Sequence, residues 1–67
     1  MTWNEKEQML DRLRENIADY MIKHGTIKRD RERSNYYCCV RMIEVTFRGI
    51  DFNITQVDGM TCRIDRE

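Results

Sequence analysis

The stretch Ile43-Glu44-Val45-Thr46-Phe47-Arg48-Gly49-Ile50-Asp51-Phe52-Asn53-Ile54 decides the fold. Apolar and polar residues alternate on both sides of Arg48-Gly49. In an extended chain a period of two sends Ile43, Val45 and Phe47 to one face and Glu44 and Thr46 to the other. The inward set is β-branched or aromatic, as suits a half-buried pleated surface. A two-residue Arg48-Gly49 turn pairs Phe47 with Ile50, Val45 with Phe52 and Ile43 with Ile54. All three pairs then share a face, which a slip of one residue would destroy.

Alternation resumes downstream, where Met60, Cys62 and Ile64 interleave with Thr61, Arg63 and Asp65. A two-residue Asp58-Gly59 turn sets Ile54 opposite Arg63, on the wrong face. A three-residue Val57-Asp58-Gly59 loop, with Gly59 left-handed as a bulge, instead pairs Ile54 with Cys62 and Phe52 with Ile64. The expectation is therefore a three-residue loop and strands at about 36–48, 50–56 and 60–65.

The first of these strands is inconsistent along its length. Its core-facing set upstream of Ile43 is Tyr37, Cys39 and Arg41. Tyr36, Cys38, Val40 and Met42 fall on the opposite face. Either a bulge near Arg41–Met42 switches the faces, or an edge strand shows apolar residues to solvent, which makes a pairing surface. Before it, residues 25–35 read as a charged connection. Lys28, Arg29, Arg31 and Arg33 against Asp30 and Glu32 leave this stretch at +2, whereas the chain on either side sums to −1.

At the other end Thr2 and Glu5 form a capping box, placing a helix start at Trp3. Trp3, Leu10, Leu13, Ile17, Tyr20 and Met21, flanked by Met9, make one apolar stripe. Glu7, Asp11, Arg12, Arg14, Glu15 and Asp19 occupy the far face, and Ile22 lies off the stripe. Gly25 suits the residue after the helix, with Lys23 and His24 near its negative end. The expected helix covers about 3–24. The stripe also reads as heptads, Trp3, Leu10, Ile17 and His24 at one position and Lys6, Leu13 and Tyr20 at the other. Lys6 and His24 on the seam make a poor coiled coil, so the stripe is read as the sheet's cover and Trp3 as a partner anchor.

The resulting expectation is an α+β chain: one N-terminal amphipathic helix packed on one face of a three-stranded antiparallel β-meander (αβββ), with residues 1–67 as a single small domain. This order is similar in topology to the first part of double-stranded-RNA-binding domains. The C-terminal helix that carries much of that family's phosphate contact has no counterpart before Arg66-Glu67.

Size and charge constrain function. Sixty-seven residues bury only about 60% of their unfolded surface and leave little room for an enclosed pocket. Twelve basic and twelve acidic residues cancel, which argues against a general polyanion or membrane-surface binder. The polar, acidic N-terminus is not a signal peptide and no apolar run is long enough to span a bilayer, so the expected location is cytoplasmic. There the three cysteines are expected as free thiols. Adjacent Cys38 and Cys39 point to opposite faces of a strand and do not make a zinc knuckle. His24, the only histidine, has no orienting partner for nucleophilic chemistry. No catalytic residue, metal site or cofactor is expected.

What remains is a non-enzymatic protein-binding module. Its expected partner-binding residues are Tyr36, Cys38, Val40 and Met42 on the edge strand, with Arg29, Arg31 and Arg33 beside them. Small proteins of this kind are common in phages and mobile elements, where many inhibit a host machine by occlusion. An anti-CRISPR-like inhibitor, its partner unidentified, is therefore the expectation. The alternatives are a nucleic-acid-binding regulator using the basic 28–33 stretch, and a homodimeric structural protein paired through edge strands or outer sheet faces.

Overall fold

The computed structural model describes residues 3–67, the side chain of Trp3 excepted. Helix α1 runs Trp3–His24. Four strands follow, β1 (Thr26–Ser34), β2 (Cys39–Phe47), β3 (Ile50–Val57) and β4 (Met60–Arg66). They form one antiparallel sheet in the order β1-β2-β3-β4. The α+β class and the position of the helix are as expected. The expected cap hydroxyl of Thr2 and the Trp3 anchor lie outside the described residues.

The sheet has four strands, not three, because the charged connection is itself a strand. Its charges alternate in sign with period two, so an extended backbone sends Arg29, Arg31 and Arg33 to one face and Asp30 and Glu32 to the other. There Asp30 meets Arg41 of β2 in a two-pronged ion pair, Nε to Oδ1 at 2.9 Å. Asn35 then turns the chain. Its Oδ1 accepts the N–H groups of Tyr37 (2.8 Å) and Cys38 (2.9 Å), and its own N–H donates to the Cys38 carbonyl. Such side-chain-to-backbone bonding is characteristic of Asn in turns. Tyr36 and Tyr37 are thus in a loop, and the strand expected from residue 36 begins at Cys39. The αββββ order also removes the topological likeness to double-stranded-RNA-binding domains.

The β2–β3 hairpin has the expected register, with Phe47 opposite Ile50, Val45 opposite Phe52 and Ile43 opposite Ile54. Arg48 and Gly49 both have positive φ, 51° and 76°, the backbone of a type I′ turn. The β3–β4 hairpin differs from expectation. Asp58 and Gly59 form a second two-residue turn, φ 51° and 82°, and Val57 pairs with Met60. A bulge then inserts Cys62 between the partners of Gln56 and Thr55, so that Ile54 faces Ile64 and Phe52 faces Arg66. The extra residue needed to correct the register sits in the strand rather than in the loop. In consequence Thr61 points inward and is 2% exposed, while Met60 and Cys62 point out. No bulge interrupts β2 near Arg41–Met42; pairing there is continuous.

The core comprises Ala18, Met21, Ile43, Val45 and Ile54, with Ile22, Phe47, Phe52 and Ile64 packed around it. Each fully buried Ile or Val contributes about 1.5–3 kcal/mol. The helix meets the sheet along Glu15, Ala18, Met21, Ile22 and Gly25; of the expected stripe, Met21 lies on this line and Leu10, Leu13, Ile17 and Tyr20 do not. That line is offset from the stripe by roughly the arc of one residue, about 100°. Small residues explain the choice. At Gly25 a Cβ would stand 2.6 Å from the Met21 carbonyl oxygen and 2.7 Å from that of Thr46. Helix and β2 touch here more closely than any side chain allows. Ile22, which looked unpartnered, packs on the core. Leu10, Leu13, Ile17 and Tyr20 are turned aside and remain about half exposed, at 52, 56, 43 and 50%.

Glu15, expected on the polar face, is directed at the sheet. Its carboxylate accepts the Thr61 N–H at 2.8 Å and the Thr61 hydroxyl at 3.1 Å. The buried Gln56 amide donates to the same hydroxyl oxygen. Residues 4–13 lie beyond this last contact, each exposed, so the first half of the helix overhangs its own sheet.

Candidate binding surfaces

One face of the sheet carries the helix; the other has no covering layer among the described residues. The uncovered face is built from the outward residues of each strand. Along β1 these are Arg29, Arg31 and Arg33, opposite Glu44, Met42 and Val40 respectively. Alternate strand residues are about 6.6–6.8 Å apart, so the guanidinium stems form an evenly spaced row. Val40 pairs in turn with Val57, and Val57 with Met60. An apolar row therefore crosses β2, β3 and β4 beside the arginines. Arg31, Glu32, Arg33, Val40 and Met42 line an open depression, and a second one lies between Arg29, Arg31, Met42, Glu44 and Asn53.

The charges on this face are unevenly neutralised. Lys28, in the β1 bulge, donates to Asp51 at 3.1 Å, and Thr46 donates its hydroxyl to the same carboxylate. These two hydrogen bonds hold the Asp51 carboxyl below its usual value, and the Asp51 bond raises Lys28 above the usual lysine value. Arg63 pairs with Asp65 at 2.7 Å. Among the described residues no ion pair engages Arg29, Arg31 or Arg33.

Five of the seven expected partner-binding residues, Arg29, Arg31, Arg33, Val40 and Met42, thus share one surface. Tyr36 and Cys38 do not belong to the strand. They sit in the β1–β2 loop at the Arg33–Val40 end of that surface. Tyr36 and Tyr37 are 94% and 88% exposed, their rings edge-to-face at 5.4 Å. Lys28, named in the basic 28–33 stretch, belongs to the same face, as do Val57 and Met60, which were not anticipated. The alternation of charge sign through 29–33 was the available signal for the arginine row, whereas Lys28 reaches that face through the β1 bulge. Met60 was misassigned because its facing depends on the length of the preceding turn.

A second surface is apolar and lies on the helix side. Leu10, Leu13, Ile17 and Tyr20 run along the helix with Met9 beside them. The stripe continues into an open groove whose other wall is Phe47, Phe52 and Ile64. His24 packs on Tyr20 with the rings tilted by 44° and their centres 4.4 Å apart, and Tyr20 meets Phe47 edge-on at 5.7 Å.

The cysteines are free: Cys38 and Cys39 half-buried, Cys62 exposed. Cys39 donates its thiol to Glu32 at 2.9 Å, and that bond raises its pKa above the usual thiol value. A thiol held protonated is a poor nucleophile. Among the described residues no group of three or more His, Cys, Asp or Glu side chains is arranged to hold a metal ion. No described helix is long and apolar enough to cross a membrane. No family model, curated protein or solved structure matches the chain.

Proposed function

We propose that this chain is a non-enzymatic binding module whose uncovered sheet face docks on an acidic patch of a protein partner. The observation that carries this reading is the row Arg29-Arg31-Arg33 lying directly beside Val40 and Met42 on a face without a covering layer. Protein interfaces combine an apolar centre with arginine, methionine and tyrosine at higher frequency than the rest of a surface. The three arginines are free of internal ion pairs, so a partner's carboxylates would not have to displace existing ones. Tyr36 and Tyr37 extend the same contact at its rim. The mode of action that suits so small a module is steric occlusion. An inhibitor carried by a phage or mobile element against a host machine, a CRISPR nuclease among the possible targets, is the form we propose for it; its small size is the support.

A second reading is favoured by the spacing of the arginines and the exposure of the two tyrosines. Such a row can follow the phosphates of a single-stranded nucleic acid, with aromatic rings stacking on its bases. One pair of substitutions separates the two. Val40→Lys with Met42→Lys removes the apolar centre while adding positive charge. Loss of a captured protein partner, with circular dichroism unchanged, supports docking to protein. Retained capture defeats it. A gel shift at low salt that appears in the unmodified chain and tightens in the double variant supports the nucleic-acid reading instead. Arg29→Glu with Arg31→Glu abolishes binding under either reading.

A further inference from the structure

We infer that two copies of this chain associate through the helix stripe, antiparallel about a two-fold axis, so that the overhanging half of each helix fills the other copy's groove. The stripe consists of two unlike halves. Leu10 and Leu13 project beyond the sheet to which their own helix is attached. Ile17 and Tyr20 border the open groove walled by Phe47, Phe52 and Ile64. A two-fold axis between Leu13 and Ile17 lays the first half on the second and the second on the first. It sets Leu10 against Tyr20 of the other copy and Leu13 against Ile17. Such isologous pairing is the commonest way in which one surface satisfies itself.

Three observations select a second copy over another occupant. The spacing 10-13-17-20 is that of a helix-pairing seam and reads the same from either end. The antiparallel register sets Glu7 of one copy opposite Lys23 of the other; it also opposes the two helix dipoles. Lastly, the core within one copy is small, with five buried apolar residues among those described. Chains of this length commonly obtain the missing burial by oligomerising. Half of five large apolar side chains in water is on the order of 500 Å², at the upper end of the largest patch that monomers show. Because the helix lies opposite the arginine-bearing face, the dimer leaves both of those faces free.

The test begins with the unmodified chain. Light scattering after size exclusion is expected to give twice the chain mass at tens of micromolar and to fall toward one on dilution. A chain that stays monomeric at several hundred micromolar overturns the inference. Leu13→Glu and Ile17→Lys, each alone, are expected to raise the dissociation constant by roughly 30-fold or more, as for a central contact. Mixing the two variants restores the dimer, since residue 13 of one copy faces residue 17 of the other. A variant pair that stays dimeric separately, or that fails to recover on mixing, overturns the antiparallel register. Should either variant unfold, isotope-filtered NOEs in a half-labelled sample of the unmodified chain decide it. Leu13 methyls of one copy must contact Ile17 methyls of the other, and contacts through β1 or the outer sheet face instead would refute the proposal.

Discussion

The Glu15 carboxylate binds Thr61 twice, taking the backbone N–H at 2.8 Å and the side-chain hydroxyl at 3.1 Å. It ties the middle of the helix to the start of the last strand, 46 residues away in sequence. It also satisfies a backbone donor at a buried residue. Removing the acceptor leaves that N–H without a partner, at a cost of about 1–3 kcal/mol. Glu15→Ala is therefore expected to lower the urea-unfolding free energy by about that amount, and Glu15→Gln, which keeps an acceptor oxygen, by less. Equal losses in the two variants would mean that packing, not the hydrogen bond, joins the elements.

Gly25 permits the close approach of helix and β2. Its φ is not positive among the backbone angles of the chain, so the requirement is for space rather than for a left-handed backbone. A methyl group there meets two backbone carbonyl oxygens at 2.6 and 2.7 Å, and backbone cannot swing away as a side chain does. Gly25→Ala is expected to cost about 1–3 kcal/mol, the range for overpacking. Because Gly25 follows the last helical residue, the gain that Ala brings inside a helix does not offset this cost. A denaturant midpoint that is unchanged or raised in Gly25→Ala would refute the close contact as the reason for the glycine.

Arg48 occupies a left-handed conformation, φ 51°, which costs an ordinary residue about 1–2 kcal/mol. Its guanidinium stands over the Phe47 ring at 5.2 Å, a contact worth about 0.5–1 kcal/mol at an exposed site. Arg48→Asn relieves the backbone and forfeits the ring contact, for an expected net gain of about 0.5 kcal/mol. Arg48→Val, which is β-branched, is expected to lose more than about 1 kcal/mol. Thermal melts of the two variants should move in opposite directions.

The Arg41 hydrogen bonds hold Asp30 below its usual value, as Thr46 and Lys28 hold Asp51. A carboxyl whose pKa is depressed by folding stabilises the native state above its unfolded value, near 4, and loses that contribution as pH falls through the folded value. Stability is thus expected to be flat from neutral pH to about 5 and to decline below about 4. Asp30→Asn should flatten part of that decline, though modestly, because the pair is partly exposed and solvent screens it. An acid limb unchanged by this substitution would assign the loss to other carboxylates.

Much of the sheet was legible where one face is apolar. The β2–β3 register follows from Ile43, Val45, Phe47, Ile50, Phe52 and Ile54, because any other pairing exposes them. Strand β1 was not read as a strand because neither of its faces is apolar; its period is one of charge sign, and every residue in it is exposed. Five of the expected partner-binding residues fell together only once that strand was in place. The β3–β4 hairpin was misread because a three-residue loop and a two-residue turn with a bulge correct the register equally well. The pattern of hydrophobicity cannot distinguish them. Thr61 and Met60 exchange faces as a result.

The sequence by itself determined the helix over its length, the two β2–β3 turn residues and the face shared by the central strands. These depend on local periodicity and on nearest-neighbour register. Only the tertiary structure decided which side of the helix the sheet takes. The apolar stripe is the more hydrophobic side, yet Gly25 and Ala18 allow the closer approach, and close packing at the crossing outweighs the larger side chains that cannot enter it. That choice leaves Leu10, Leu13, Ile17 and Tyr20 outside their own core, which is why the helix that covers the sheet also presents an apolar surface of its own.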